Sequence, residues 1–424
     1  MMIERIVLIN PNRYRDPPVI PIGLEYIKTS LERNGYNVEI LDLCFEDKPI
    51  DKLRRYLKNR KPSIAGISVR NIDTSSYFTN EFFLPEIKSY ISEIKKLGIP
   101  VIVGGSGFSA MPYEILRYLD ADYGILGPAE KAIISFLKDW EKGQLKSKIY
   151  NGWEYGIDPD LAHIRGNEID YETYMKNGGI IGFETQKGCY NKCPYCIEAN
   201  KPVFLKNIDK IINELKHLIS IGFNHFHLCD SEFNLDLNYA LKFCRALIKE
   251  SLNMKWALYM KPTPYNEELF KLLGKSNAYM ITLSVDSYEY IQKLNGYTYK
   301  DLEKIIYYCR KYGIKLFIDL LCGYPNEPEY SIKKIIDFFR KHRPASVGIT
   351  FYYRIYKNTE LANIIKSNND LHQYLTRKVS KDKEDFIEPI FFSNYDLEFF
   401  QNLIKDDELF RIAGLKKGVN YQFD

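Results

Sequence analysis

The sequence predicts an α/β protein: a doubly wound N-terminal domain, then a six-stranded partial β/α barrel, then a small, mainly helical C-terminal cap. Three observations carry this. Short apolar runs alternate with amphipathic helical stretches; the alternation lapses over residues 146–178 and restarts at 179; and residues 366–424 replace it with charged and aromatic sequence. The expected boundaries are therefore 1–145, a linker at 146–178, 179–365 and 366–424. A chain of 424 residues, 45% of them hydrophobic, is long enough to bury more than one core.

The first strand is the β-branched run "IERIVLI" at 3–9, ending in the Pro- and Arg-rich "NPNRYRDPPVIPIG". Leu24, Ile27 and Leu31 then share one helical face that Gly35 ends. "VEILDL" (38–43), "IAGISV" (64–69), "VIVGG" (101–105) and "YGILG" (123–127) follow, separated by amphipathic stretches such as "LPEIKSYISEIKKLG". Unbroken apolar strands between helices imply a parallel sheet covered on both faces. The second alternation supplies "GIIGFETQ" (179–186), "HFHLCD" (225–230), "KWALYM" (255–260), "YMITLSVD" (279–286), "KLFIDLLCG" (315–323) and "SVGITFYY" (346–353). In β/α barrels chemistry gathers at the C-terminal ends of the strands.

A dispersed net charge of +4 argues against nucleic-acid or membrane partners. No apolar run approaches the ~20 residues that span a bilayer, and "MMIERIVLINPN" passes directly into a strand instead of reading as a signal peptide. A cytoplasmic location is expected, where the eight cysteines are free thiols or metal ligands.

Three of them stand in "KGCYNKCPYC": Cys189, Cys193 and Cys196, directly after the first barrel strand. Soft thiolates at close spacing suit zinc or an iron–sulfur cluster. Structural zinc normally closes with four ligands, and no second knuckle accompanies these three. Three ligands on a cubane leave one iron open.

This C-x3-C-x2-C loop, with Tyr195 before its last cysteine, resembles the cluster loop of radical S-adenosylmethionine (AdoMet) enzymes. The resemblance implies a 4Fe–4S cluster held by Cys189, Cys193 and Cys196, with AdoMet chelating the open iron. It also implies AdoMet contacts from Asp230, Ser231 and Glu232 in "CDSEFN", where the family often has Gly-Gly-Glu, and from Ser284 and Asp286 in "LSVDS". Glu232 would meet the AdoMet ammonium; Asp230 or Ser231 equally suits a helix N-cap. His225 and His227 share a strand face and read as packed histidines before metal ligands.

A doubly wound, Rossmann-like domain ahead of such a barrel resembles the cobalamin-binding domain of one subclass. The likeness rests on "PPVIPIGLEYIKTSLERNGYNVEILD", "VGGSGFSAMPYEIL" and "DYGILGPAEKAI". It implies that Gly104, Gly105 and Ser106 let the cofactor's nucleotide tail approach the backbone, with Gly127 and Glu130 in the next loop; "GPAE" departs from the family's Gly-Glu-Gly-Glu. A dinucleotide fingerprint would need its glycines after the first strand, whereas these follow the fourth. Residues 1–162 contain no histidine, so cobalamin would be bound base-off without a protein imidazole. "SVRNID" resembles the tryptophan C2-methyltransferase branch, which implies Arg70 below the cobalt, where a cation disfavours Co(III). Arg70 pairing with a carboxylate is the alternative.

The resemblance implies a cobalamin-dependent methyltransferase acting on an unactivated carbon of a small molecule or peptide, with an external flavodoxin- or ferredoxin-type electron donor. A cyclase or ring-rearranging enzyme with the same cofactors, and a non-catalytic iron–sulfur/cobalamin sensor, remain alternatives.

Overall fold

The computed structural model of the chain describes residues 3–163, 165–166, 168–377, 386–417 and 420. It divides into two compact units: Met1–Thr74, Glu81–Ile181 and Phe204–Leu218 form the first, and Ser75–Asn80, Gly182–Val203 and Ile219–Asp424 the second. Among the described residues no helix is long and apolar enough to cross a membrane.

The first unit is wound from β1 (Ile6–Asn10), α1 (Ile22–Arg33), β2 (Val38–Asp42), α2 (Pro49–Arg60), β3 (Ile64–Ser68), α3 (Leu84–Lys95), β4 (Val101–Gly104), α4 (Ser106–Ala110), α5 (Pro112–Leu119), β5 (Tyr123–Leu126), α6 (Glu130–Glu141) and β6 (Ile149–Asn151). Its six strands are parallel in the order β2-β1-β3-β4-β5-β6. All five residues of β1 are buried, as a central strand covered on both faces requires. The winding reverses at β1, so the loops after β1 and β3 flank the switch point, where such sheets bind ligands.

Residues 146–178, expected as a linker, are corrected in two respects. They supply the edge strand β6, too short at three residues for periodicity to reveal. They also supply Arg165, which is fully buried and bridges two helices: its Nε lies 3.0 Å from Glu25 on α1, and its Nη1 lies 2.6 Å from Glu214 on the helix Ile208–Ser220.

In the second unit the six predicted barrel strands are Ile181–Phe183, His225–Leu228, Lys255–Met260, Ala278–Asp286, Lys315–Leu321 and Ser346–Thr350, lying side by side in chain order. A seventh, Phe410–Ile412, pairs in parallel with the sixth. The predicted C-terminal cap holds more helix than strand among its described residues, but the strands were not foreseen. The C-terminal stretch contributes this strand, the helices Asn369–Tyr374 and Leu397–Ile404, and two strands, Leu375–Arg377 and Ile390–Phe392, that form an antiparallel sheet with Tyr353–Arg354. Three-residue strands leave no alternation to read, and their pairing is set by partners distant in sequence. The remainder of the predicted cap, 378–385, 418–419 and 421–424, lies outside the described residues.

Candidate active site

The first barrel strand delivers the chain to a turn that a buried carboxylate holds shut. Asp230 Oδ1 accepts from the backbone N–H of Thr185 at 2.7 Å and of Gln186 at 3.2 Å, and Oδ2 accepts from the Thr185 hydroxyl. Burial pushes the Asp230 carboxyl up to about 7. Expected beside AdoMet, Asp230 spends both oxygens on this turn, and the neighbouring Ser231 is exposed.

The loop that follows is fixed by its own backbone. Lys201 N–H donates to Cys189 O at 2.8 Å, Asn200 N–H to Asn191 O at 2.9 Å and Cys196 N–H to Cys193 O at 3.1 Å. From outside the loop, the N–H of Leu361, near the start of the helix Glu360–Ser367, donates to Pro194 O at 2.9 Å. Tyr195 donates its hydroxyl to Asp286 Oδ1 at 2.6 Å, pinning the loop to the end of the fourth strand. Asp286 is thus turned towards the cysteine loop, and burial pushes its carboxyl up to about 6.

Burial pushes the thiols of Cys189 and Cys196 up to about 11 and about 12 and raises Cys193 as well, with the three thiols coupled to one another. Such thiols ionise only when a cationic centre compensates the desolvated charge. Among the described residues no three His, Cys, Asp or Glu side chains converge closely enough to hold one ion. A cubane takes each thiolate on its own iron, and three soft thiolates on one loop suit such a cluster. Asn295, unforeseen from sequence, donates from Nδ2 to Cys193 Sγ at 3.4 Å. It lies in a loop about a hundred residues away and carries no motif.

Glu232 supplies the second fit. It is 9% exposed, Ser284 hydrogen-bonds its carboxylate, and Oε2 accepts no hydrogen bond. Desolvation pushes its carboxyl up to about 8 even though Lys261 attracts the charged form. An orphaned buried carboxylate oxygen calls for a donor, and an ammonium of a bound ligand would satisfy it. Glu232, just beyond the second strand, and Ser284, near the end of the fourth, therefore stand together. His225 binds the Tyr279 hydroxyl at 2.9 Å through Nε2, and burial lowers His227 to about 4; both are packed histidines.

In the first unit the loops after β3 and β4 form one structure. Gly107 N–H and Ser106 Oγ both donate to Arg70 O at 2.8 Å, and Val69 N–H donates to Gly104 O at 2.7 Å. Gly105 has φ +102°, and a Cβ there would lie 2.6 Å from Val69 O, so this approach of the two loops requires glycine. Gly127 has φ +75° under the Trp153 indole, and its N–H donates to Ser109 Oγ at 2.9 Å. Glu130 is buried at the start of α6, where its carbonyl accepts from Ser30 on α1. A cavity of about 260 Å³ opens at the switch point, bordered by Arg13, Arg70, Asn71 and Glu86, with Arg13 and Glu86 paired at 3.0 Å. The rim is polar, and the glycine loop meets it through the hydrogen bonds to the Arg70 carbonyl, where the absence of side chains leaves backbone open to a cofactor's tail.

Comparison with known proteins accords with both halves. Residues 183–339 match the radical SAM superfamily and residues 14–137 match the B12 binding domain. The tryptophan 2-C-methyltransferase of Streptomyces laurentii is 23% identical over 86% of this chain and 75% of its own length. The radical AdoMet methyltransferase TsrM of Kitasatospora setae, solved with cobalamin and a 4Fe–4S cluster, superposes with a TM-score of 0.86 at 23% identity, covering 97% of this chain and 93% of that one. The same enzyme with tryptophan and an AdoMet analogue gives 0.87 at 22% identity, covering 99% and 93%. At these identities the solved structures establish the shared fold.

Proposed function

We infer that this chain, which joins a B12-binding domain to a radical SAM domain, is a cobalamin-dependent radical AdoMet methyltransferase. The observation that carries the reading within the molecule is the three-thiol loop beside a buried glutamate with an unanswered oxygen. When bound, the cofactors supply one-electron chemistry and a carrier for the methyl group. The chain's own residues bind and orient. Cys189, Cys193 and Cys196 would hold the cluster; Asn295 and Tyr195 fix the ring of donors around it; Glu232, positioned by Ser284, would accept from the AdoMet ammonium.

In the first unit, Gly104, Gly105, Ser106 and Gly127 would line the cobalamin tail. Arg70, whose carbonyl is clamped by the glycine loop, would present its guanidinium to the cofactor. No histidine precedes His163, which supports a base-off state without imidazole. A guanidinium cannot deprotonate or coordinate, so beside the cofactor it would favour the lower-charged state of the metal. The acceptor is a carbon of a small molecule, as tryptophan is for the Kitasatospora enzyme, and reducing equivalents come from a flavodoxin- or ferredoxin-type donor.

The test is anaerobic reconstitution with iron, sulfide and cobalamin, followed by incubation with methyl-labelled AdoMet and candidate acceptors. Label in the acceptor together with S-adenosylhomocysteine is the expected result. An unlabelled, rearranged product with deoxyadenosine would assign the chain to cyclase chemistry instead.

A further inference from the structure

Directly after the third barrel strand, Lys255–Met260, the chain places a lysine where water barely reaches. Lys261 is 7% exposed, and one side-chain amide grips its backbone at two points. Asn234 Oδ1 accepts from the Lys261 N–H at 3.1 Å, and Asn234 Nδ2 donates to the Lys261 carbonyl at 2.9 Å and to Pro264 O at 2.6 Å. Asn234 is itself buried in the short helix Phe233–Leu235, two residues after Glu232. The loops after the second and third barrel strands are thereby tied together, and the lysine has a fixed root.

From that root the side chain reaches into the cysteine loop. Its ammonium donates to Asn191 Oδ1, between Cys189 and Cys193, and stands 4.9 Å from the centre of the Tyr190 ring, whose hydroxyl donates to Leu235 O at 2.7 Å. Both partners are neutral. Among the described residues no carboxylate pairs with the ammonium, and Glu232 nearby leaves its Oε2 unbonded. A desolvated charge with neutral partners alone is costly, so buried ions are ordinarily paired or set against a metal centre. The anionic groups that its field reaches are Cys189, Glu232 and Cys193, two of them assigned cluster ligands. Three thiolates outweigh the charge of an oxidised cubane, and reduction adds one more negative charge. A cation held beside them stabilises the reduced state more than the oxidised one, and net charge is among the quantities that set an iron–sulfur potential. We propose that Lys261 is the counter-charge of the cluster, a positioning residue that raises its reduction potential towards that of an external one-electron carrier. One electron passes from carrier to cubane, with no bond or proton moved. The inference rests on the cluster assignment, not on methyl transfer.

The experiment is an anaerobic redox titration of the full-length protein, reconstituted with iron, sulfide and cobalamin and read by electron paramagnetic resonance of the reduced cluster. Lys261→Met and Lys261→Gln keep iron and sulfide but shift the reduction equilibrium about tenfold or more towards the oxidised form, which is about 59 mV more negative for a one-electron couple. Lys261→Arg, which keeps the charge, stays close to the parent. A role confined to the Asn191 hydrogen bond predicts instead that Lys261→Gln, which still donates, matches the parent. If both neutral variants lose iron, retention by Lys261→Arg supports the counter-charge, and loss in Lys261→Arg as well overturns it. An unmoved potential in cluster-bearing Lys261→Met, or a Lys261→Gln potential equal to the parent's, overturns this inference alone. A parent that takes up no iron and sulfide overturns the cluster assignment and this inference with it.

Discussion

Replacing Arg165 with Met removes the guanidinium that pairs with two buried carboxylates. The Arg165 side chain is 0% exposed, and those of Glu25 and Glu214 are 5% and 3% exposed, so solvent screens neither pair. Breaking a buried pair by deleting one partner costs about 3–5 kcal/mol, because the remaining charge stays desolvated. Some compensation survives: Glu25 keeps the Tyr171 hydroxyl and the Gly166 N–H at 2.9 Å, and Glu214 keeps the Tyr26 hydroxyl at 3.0 Å. The lower end, about 3 kcal/mol, is therefore expected, which for a unit of this size lowers the melting temperature by roughly 6–12 °C. The assay is thermal unfolding followed by circular dichroism and tryptophan fluorescence, since Trp140 and Trp153 lie in the affected unit. Adding Glu25→Gln and Glu214→Gln to Arg165→Met should restore much of the loss by removing the stranded charges. An Arg165→Met protein melting within about 2 °C of the parent would show that the network is not stabilising the unit as argued.

Single Cys→Ala changes at 189, 193 or 196 should each abolish stoichiometric iron and sulfide while leaving the far-ultraviolet spectrum unchanged; full iron retention would overturn the ligand assignment. Asn295→Leu, which deletes the donor to Cys193 Sγ, should make the cluster's midpoint potential more negative in a spectroelectrochemical titration, because hydrogen bonds to sulfur stabilise the reduced state. Gly105→Ala should cost at least about 1–2 kcal/mol and lower the cobalt bound per chain, since the new Cβ meets Val69 O at 2.6 Å with φ positive. The Asp230 carboxyl, at 3.8 in the unfolded chain and about 7 when folded, is protonated in both states below the unfolded value. Its contribution to stability is fully present there and is lost as pH rises through about 7; denaturant midpoints at pH 5 and pH 8 should differ in that sense, and Asp230→Asn should narrow the difference.

Local sequence was sufficient wherever a signal is periodic or chemical. Five apolar runs in the first half and six in the second became parallel strands, because a short apolar run between amphipathic helices has few other ways to bury itself. The cysteine trio was legible because thiolate spacing is a contiguous pattern, and the glycines after β4 because close backbone approach leaves a compositional trace. What sequence could not supply are the partners. Arg165 sits in a stretch without periodicity, and its value lies in two glutamates, one of them 140 residues away. Asp230 and Asp286 were expected as AdoMet contacts, yet whether each faces a ligand or a loop depends on where Thr185 and Tyr195 arrive. Asn295 had no signature, since a lone amide acquires meaning only from the groups that packing brings against it. Periodicity and motif spacing are properties of neighbours along the chain; hydrogen-bond pairing and desolvation are properties of neighbours in space, and those emerge only when the sheets close.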